Sequence, residues 1–215
     1  MLKVWPVVPL GLVLALAAVS CQTAGPDQHP PIVQPGAPGQ PSRIIPVAAA
    51  TDQSRIRYTG ADVRFMQGMI GHHAQAIEMT ALVPARTSRD AMKLLAQRIE
   101  VSQRDEIAMM RGWLRARAQP VPDAHAHHQG GAAMPGILTA EEMAHLAAAS
   151  GPAFDRLFLE SMIKHHDGAL VMVKDLFATP GAGQDPEIFA FASDVDADQR
   201  MEIARMGALL KEWQP

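Results

Sequence analysis

One stretch of this chain occurs twice. Met69-Ile70-Gly71-His72-His73-Ala74-Gln75-Ala76-Ile77-Glu78-Met79 returns as Met162-Ile163-Lys164-His165-His166-Asp167-Gly168-Ala169-Leu170-Val171-Met172. The copies lie 93 residues apart at every matched position, and Asp62 and Phe65 have counterparts at Asp155 and Phe158 by the same shift. A second block follows each copy. Ala96, Ile99, Gln103, Arg104, Glu106, Ile107 and Met110 recur 96 residues later as Ala192, Val195, Gln199, Arg200, Glu202, Ile203 and Met206. The growth of the offset from 93 to 96 places three extra residues in the second loop. A unit used twice, each copy with an apolar stripe, predicts that the copies bury their stripes against each other.

The period of the stripe is helical. Phe65, Met69, Ala76, Thr80 and Val83 recur at helical spacing, with Thr59 and Asp62 supplying a capping pattern at the start and Pro84 and the polar run 86–89 an end. Ser88 can cap a second helix over about 89–117, whose apolar face is Met92, Ala96, Ile99, Ile107, Met110 and Leu114. Thr139-Ala140-Glu141-Glu142 is a capping box for a short helix ending near Ser150-Gly151. A third helix spans about 152–177, and Asp185-Pro186 opens a fourth that runs to about Trp213. Two repeated helical hairpins (59–117 and 152–213) predict an all-α four-helix bundle over residues 59–215. The link 118–151 can run back along a helix of about 39 Å, which favours the ferritin-like arrangement with a long crossover.

The start of the chain reads as an address. Residues 1–20 have Lys3 followed by the apolar run Val7 to Val19, the pattern of an export signal. Ala18-Val19-Ser20-Cys21 resembles a bacterial lipobox, which would make Cys21 the lipidated first residue of the mature protein; ordinary cleavage nearby is the alternative. Residues 21–58 are rich in proline and poor in large apolar side chains, as in a disordered tether. The expected location is the periplasmic or envelope face of the cell, with a membrane anchor at Cys21. Which protein, if any, it meets there is not encoded in a recognisable motif.

Composition narrows the chemistry. The single cysteine excludes an intrachain disulfide and Cys-rich metal sites. Net charge is −3, so no basic footprint points to nucleic acid. Aromatic residues make up only 5%, whereas there are 13 methionines and 9 histidines. On a helical wheel His73 shares a face with Phe65, Met69 and Ala76, and His72 lies about 100° away, nearer Met79. His73 and His166 are therefore expected to meet at mid-bundle, ringed by Met69, Met110, Met162 and Met206. His72 and His165 are expected at seams beside Met79 and Met172. Imidazole with thioether and no thiolate suits copper, as Cu(I) or Cu(II). A di-iron oxidase needs paired Glu-x-x-His motifs in the bundle; here the residues three after Glu106 and Glu202 are Met109 and Arg205, and Glu142-x-x-His145 occurs on the short linking helix alone. Nucleophile and phosphate-loop motifs are missing, so no enzymatic reaction is expected. The crossover tract His125, His127 and His128, with Met134, Met143 and His145 nearby, is a second possible metal site, or a solvated loop.

Residues 65–77 and 158–170 resemble the two signature helices of domain-of-unknown-function family 305. Gln103-x-x-Glu106-Ile107-x-x-Met110 and Gln199-x-x-Glu202-Ile203-x-x-Met206 resemble its second motif. The resemblance covers about residues 59–213. It implies a ferritin-like four-helix domain of exported bacterial proteins, some of which are associated with copper through Met and His ligands. Carried over by position, the ligand candidates are Met69, His72, His73, Met79, Met110, Met162, His165, His166, Met172 and Met206. The implied role is copper sequestration or trafficking. The competing reading is a structural or partner-binding helical module whose histidines serve packing.

Overall fold

The computed structural model describes residues 31–34, 41–50, 58–123 and 134–213. The export signal, Cys21 and the tract His125, His127 and His128 lie outside them. The chain forms two units, Met1–Gln53 and Ser54–Pro215. In the first unit, strands β1 (Ile32–Gln34) and β2 (Arg43–Ile45) pair antiparallel with Ile32 opposite Ile45, and a single-turn helix α1 (Val47–Ala50) follows. The stretch read from its composition as a structureless tether thus holds a short ladder of β-branched residues.

The second unit consists of α2 (Gly60–Arg86), α3 (Asp90–Ala116), α4 (Ala140–Ala148), α5 (Gly151–Ala178) and α6 (Pro186–Glu212). Local chemistry sets most boundaries. Thr59 caps α2 through a full capping box with Asp62, Thr139 caps α4 with Glu142, and Asp185 caps α6 ahead of Pro186. Two expectations need correction. Pro84 lies inside α2, which continues to Arg86; so near the C-terminus a proline removes one hydrogen bond without ending the helix. Ser88 does not cap α3: Arg89 holds the N-cap position without a side-chain bond, and Thr87 Oγ1 accepts the Arg89 N–H.

The core divides into two apolar layers. One gathers Phe65, Met69 and Ile70 of α2, Ile107, Met110 and Leu114 of α3, Val173 and Leu176 of α5, and Ile188, Phe191 and Val195 of α6. The other gathers Met79 and Val83 of α2, Met92, Leu95 and Ile99 of α3, Phe154, Phe158 and Met162 of α5, and Met206 of α6, closed by Leu138 and Leu146 of the crossover. Reading each helix from layer to layer gives its direction. Helices α2 and α6 run one way, α3 and α5 the other. Parallel α3 and α5 require a connection that returns along the bundle, as the crossover does, which is the ferritin-like order. Among the described residues no helix is long and apolar enough to cross a membrane.

Ion pairs fasten the ends. Arg117, from the end of α3, holds Asp185 at the start of α6 at 3.2 Å and lies 4.3 Å over the Trp113 ring. At the other end Arg89 holds Asp155 at 3.1 Å and lies 4.4 Å over Trp213.

Candidate metal centre

Between the two apolar layers lies a polar one. It holds His72 and His73 of α2, Gln103 and Glu106 of α3, His165 and His166 of α5, and Gln199 and Glu202 of α6. All four imidazoles are essentially fully buried. A buried polar ring must find partners, and the two histidines of each pair find different ones.

His73 turns toward its own hairpin, where its Nε2 donates to Glu106 Oε2 at 2.5 Å. His166 does the same with Glu202 Oε2 at 2.7 Å. His72 and His165 turn toward the other hairpin and meet across the α2–α5 seam, with ring centroids 3.9 Å apart. The centroid distances within the pairs are 6.3 Å for His72–His73 and 6.2 Å for His165–His166. The four rings therefore form a row across the bundle in the order 73, 72, 165, 166. The expectation that His73 and His166 face each other is overturned. The helical wheel orders the pair by angle, but a carboxylate on each hairpin's second helix captures one ring and leaves its neighbour to the seam.

The hydrogen bonds fix the lone pairs. Carboxylate and carbonyl oxygens only accept, so His73 and His166 carry their protons on Nε2, which leaves Nδ1 as the basic atom. Both Nδ1 atoms are buried without a hydrogen-bond partner. His72 Nε2 donates to the Pro135 carbonyl at 3.0 Å, so Nδ1 is the basic atom of that ring too. The ring nitrogens of His165 are buried without a well-formed hydrogen bond, and the His72 backbone is a polar group beside the ring. Burial holds the His165 pKa well below the ordinary 6.5, and the crowding of His72, His166 and His73 around it disfavours a charge there further. The ring stays neutral at neutral pH, the state that binds metals.

The crossover supplies part of this site. Gln75 clamps it, donating to the Leu138 carbonyl at 2.9 Å and accepting from the Leu138 N–H at 2.7 Å. At the counterpart position in the second repeat stands Gly168. A β-carbon there would lie 2.1 Å from the Pro135 carbonyl oxygen, so the crossover backbone rests directly on α5. Sequence reasoning missed Pro135, Gln75 and Gly168. The available signal was the mismatch of Gln75 with Gly168, one of five within the repeated stretch.

The methionines take several places. Met69 and Met110 lie fully buried in one apolar layer, Met162, Met206 and Met79 in the other. Met79 is fully buried in core shared with Phe158 and Met162 of α5. Met172 is half-buried; its Cε and the Sδ of Met134 would lie 3.3 Å and 3.7 Å from a β-carbon on Gly68, one turn before His72. Met134 thus lies beside Met172; of the other residues named with the crossover tract, His145 is exposed on α4 and Met143 packs on the core. Among the described residues no three His, Cys, Asp or Glu side chains converge as a ready-made metal cage.

An acidic cavity of about 310 Å³ opens between α3 and α6, lined by Asp105, Glu106, Met109, Phe191, Asp194 and Asp198. Burial raises the pKa of the Asp198 carboxyl, as do the charges of Glu106, Glu202 and Asp194.

No curated protein matches the chain. Solved structures do. A DUF305 fragment from Deinococcus radiodurans is 30% identical with a TM-score of 0.64, covering 72% of this chain and 98% of its own. A DUF305 protein from Streptomyces coelicolor, classed as secreted, is 32% identical with a TM-score of 0.62, covering 71% of this chain and 93% of its own. CopM in its Cu(I)-bound form is 27% identical with a TM-score of 0.57, covering 74% of this chain and 100% of its own; CopM has also been solved with Cu(II) and with Ag. The family described as domain of unknown function DUF305 matches residues 62–214, which takes in both histidine pairs, both glutamates that hold them and the bundle from the third residue of α2 to the end of α6. The chain is a member of the DUF305 family.

Proposed function

We propose that this domain binds copper at the imidazole row and sequesters it or passes it on at the cell envelope, as an exported protein anchored through a lipid on Cys21. The observation that carries the reading is the pattern of hydrogen bonds around the buried rings. Metal-binding histidines characteristically donate their other ring N–H to a carboxylate or carbonyl, which fixes the tautomer and orients the lone pair. His73, His72 and His166 each do this, and His165 is held neutral beside them. Thioethers lie in the apolar layers on either side, the donor set that suits Cu(I). The likeness to CopM, solved with Cu(I), Cu(II) and Ag, supports the same metal. The acidic cavity at Glu106 offers a cation an approach to the His73 end of the row. The proposed role is binding without turnover, since Glu106 and Glu202 are engaged with histidines and the paired Glu-x-x-His motifs of di-iron enzymes are missing.

The test is Cu(I) titration of the protein in competition with a chromophoric chelator. The His72→Ala, His165→Ala double variant should lose tight binding, and wild-type melting should rise with Cu(I). Unchanged affinity in that variant would remove the row from the reading. The competing role, a helical module that only packs, predicts melting indifferent to copper.

A further inference from the structure

The two ends of the bundle use counterpart residues and close differently. At one end, residues 179–185 between α5 and α6 fold over the start of α2. Asp62 is fully used there: Oδ2 accepts from the Thr59 N–H and hydroxyl, and Oδ1 accepts from the Gly183 N–H at 2.7 Å. Gly181 faces the Thr59 methyl, and the Ala182 side chain is buried in the apolar layer.

At the other end the counterparts of Thr59 and Asp62 are Pro152 and Asp155. The connection that would cover them, residues 87–89 between α2 and α3, is short, as the change of offset from 93 to 96 requires. A cavity of about 390 Å³ remains, walled by Pro152, Asp155, Leu159, Leu210, Trp213 and Arg89. Asp155 is only 2% exposed. One of its oxygens pairs with Arg89, and the other, Oδ1, is buried with no hydrogen-bond partner. That oxygen corresponds to the one that takes the Gly183 N–H at the opposite end.

We propose that this cavity docks a short main-chain segment of glycine or alanine residues from a partner protein, which donates a backbone N–H to Asp155 Oδ1. The opposite end shows the fit, since Gly181-Ala182-Gly183 fills the counterpart space with that chemistry. The charges point to an uncharged occupant: Arg89 is paired with Asp155, and Arg156 with Glu160 at 2.9 Å. The walls supply apolar surface from Leu159, Leu210 and Trp213, and the volume is that of a small-ligand site. The site lies beyond the polar layer and is independent of copper.

The experiment titrates the full chain with a blocked hexapeptide of the sequence of residues 179–184, Thr-Pro-Gly-Ala-Gly-Gln, and follows the indole N–H resonance of Trp213. A saturable shift is expected at millimolar peptide. Methylating the nitrogen of the second glycine removes the donor and should weaken binding by about tenfold, as loss of one hydrogen bond to a charged acceptor does. Inserting Gly-Ala-Gly between Ser88 and Arg89 should fill the cavity and abolish the shift. No shift with wild-type protein, or equal binding of the methylated and unmethylated peptides, overturns the proposal even if the insertion variant fails to fold.

Discussion

Replacing Gly168 with alanine tests how the crossover is attached, and two effects of opposite sign make the outcome decisive. In an open helix Gly→Ala is stabilising by about 1 kcal/mol, because alanine restricts the unfolded chain and is the better helix former. At Gly168 the new β-carbon would lie 2.1 Å from the Pro135 carbonyl oxygen and 2.6 Å from the Gly136 Cα, both backbone atoms that no rotamer change can move aside. The segment 134–138 must lift. It then gives up the His72–Pro135 bond and both Gln75–Leu138 bonds, about 1 kcal/mol each. It also withdraws Leu138, 3% exposed, for a further 1.5–3 kcal/mol or so. Set against the propensity gain, Gly168→Ala should cost about 3–5 kcal/mol and lower Tm by about 10 °C. Gly112→Ala, where a β-carbon meets nothing within 4 Å, should instead raise Tm by about 2–4 °C. The assay is thermal and urea unfolding by circular dichroism, with hydrogen exchange at the Leu138 amide. A Gly168→Ala protein as stable as wild type, with that amide still protected, would refute the attachment.

Three further outcomes follow from the polar layer and the acidic cavity beside it. A double-mutant cycle on His166→Ala and Glu202→Ala should show a coupling of about 1.5–3 kcal/mol for a buried hydrogen bond to a charged partner; strictly additive single costs would mean that the pair contributes nothing as a pair. Because the folded pKa of His165 lies well below the ordinary 6.5, the unfolded chain takes up a proton there first. Stability should be full above that pH and fall as pH drops below it; Tm measured from about pH 7.5 to 5.5 should decline in wild type and less steeply in His165→Gln. Asp198 has the opposite sign: its raised folded pKa means that its charge costs stability at neutral pH. Asp198→Asn should therefore melt higher at neutral pH, with the gain vanishing below the ordinary value of 3.8; an unchanged or lower Tm at neutral pH would contradict it.

The helices, their pairing and the crossover topology were legible because they rest on local chemistry and on the repeat. Capping residues Thr59, Thr139 and Asp185 act within a few residues of themselves, and a 34-residue link between hairpins admits few routes. The roles within each histidine pair were not legible. Periodicity gives the angle between His72 and His73 but not which neighbouring helix lies along each direction, and that depends on where Glu106 and Glu202 stand in space. The crossover's part was hidden for a similar reason. Met134, Pro135 and Leu138 lie far in sequence from His72, Gln75 and Gly168, and no periodic pattern ties them together. Pro84 was misjudged because a proline in the last turn of a helix costs one bond, not the helix.

The meeting of His72 and His165 across the seam has an implication for how such a chain arose. The two residues occupy the same place in the two copies, so the approximate twofold axis relating the hairpins passes between their rings. An ancestral single hairpin could have built the same seam as a homodimer, with one gene product supplying both rings and any bound ion obliged to share the symmetry. Joining the copies in tandem released that obligation. One copy could then keep glutamine and the other adopt glycine at the crossover, and one loop could lengthen while the other stayed short. Each difference now distinguishes sides of the molecule that a dimer would have been forced to keep identical.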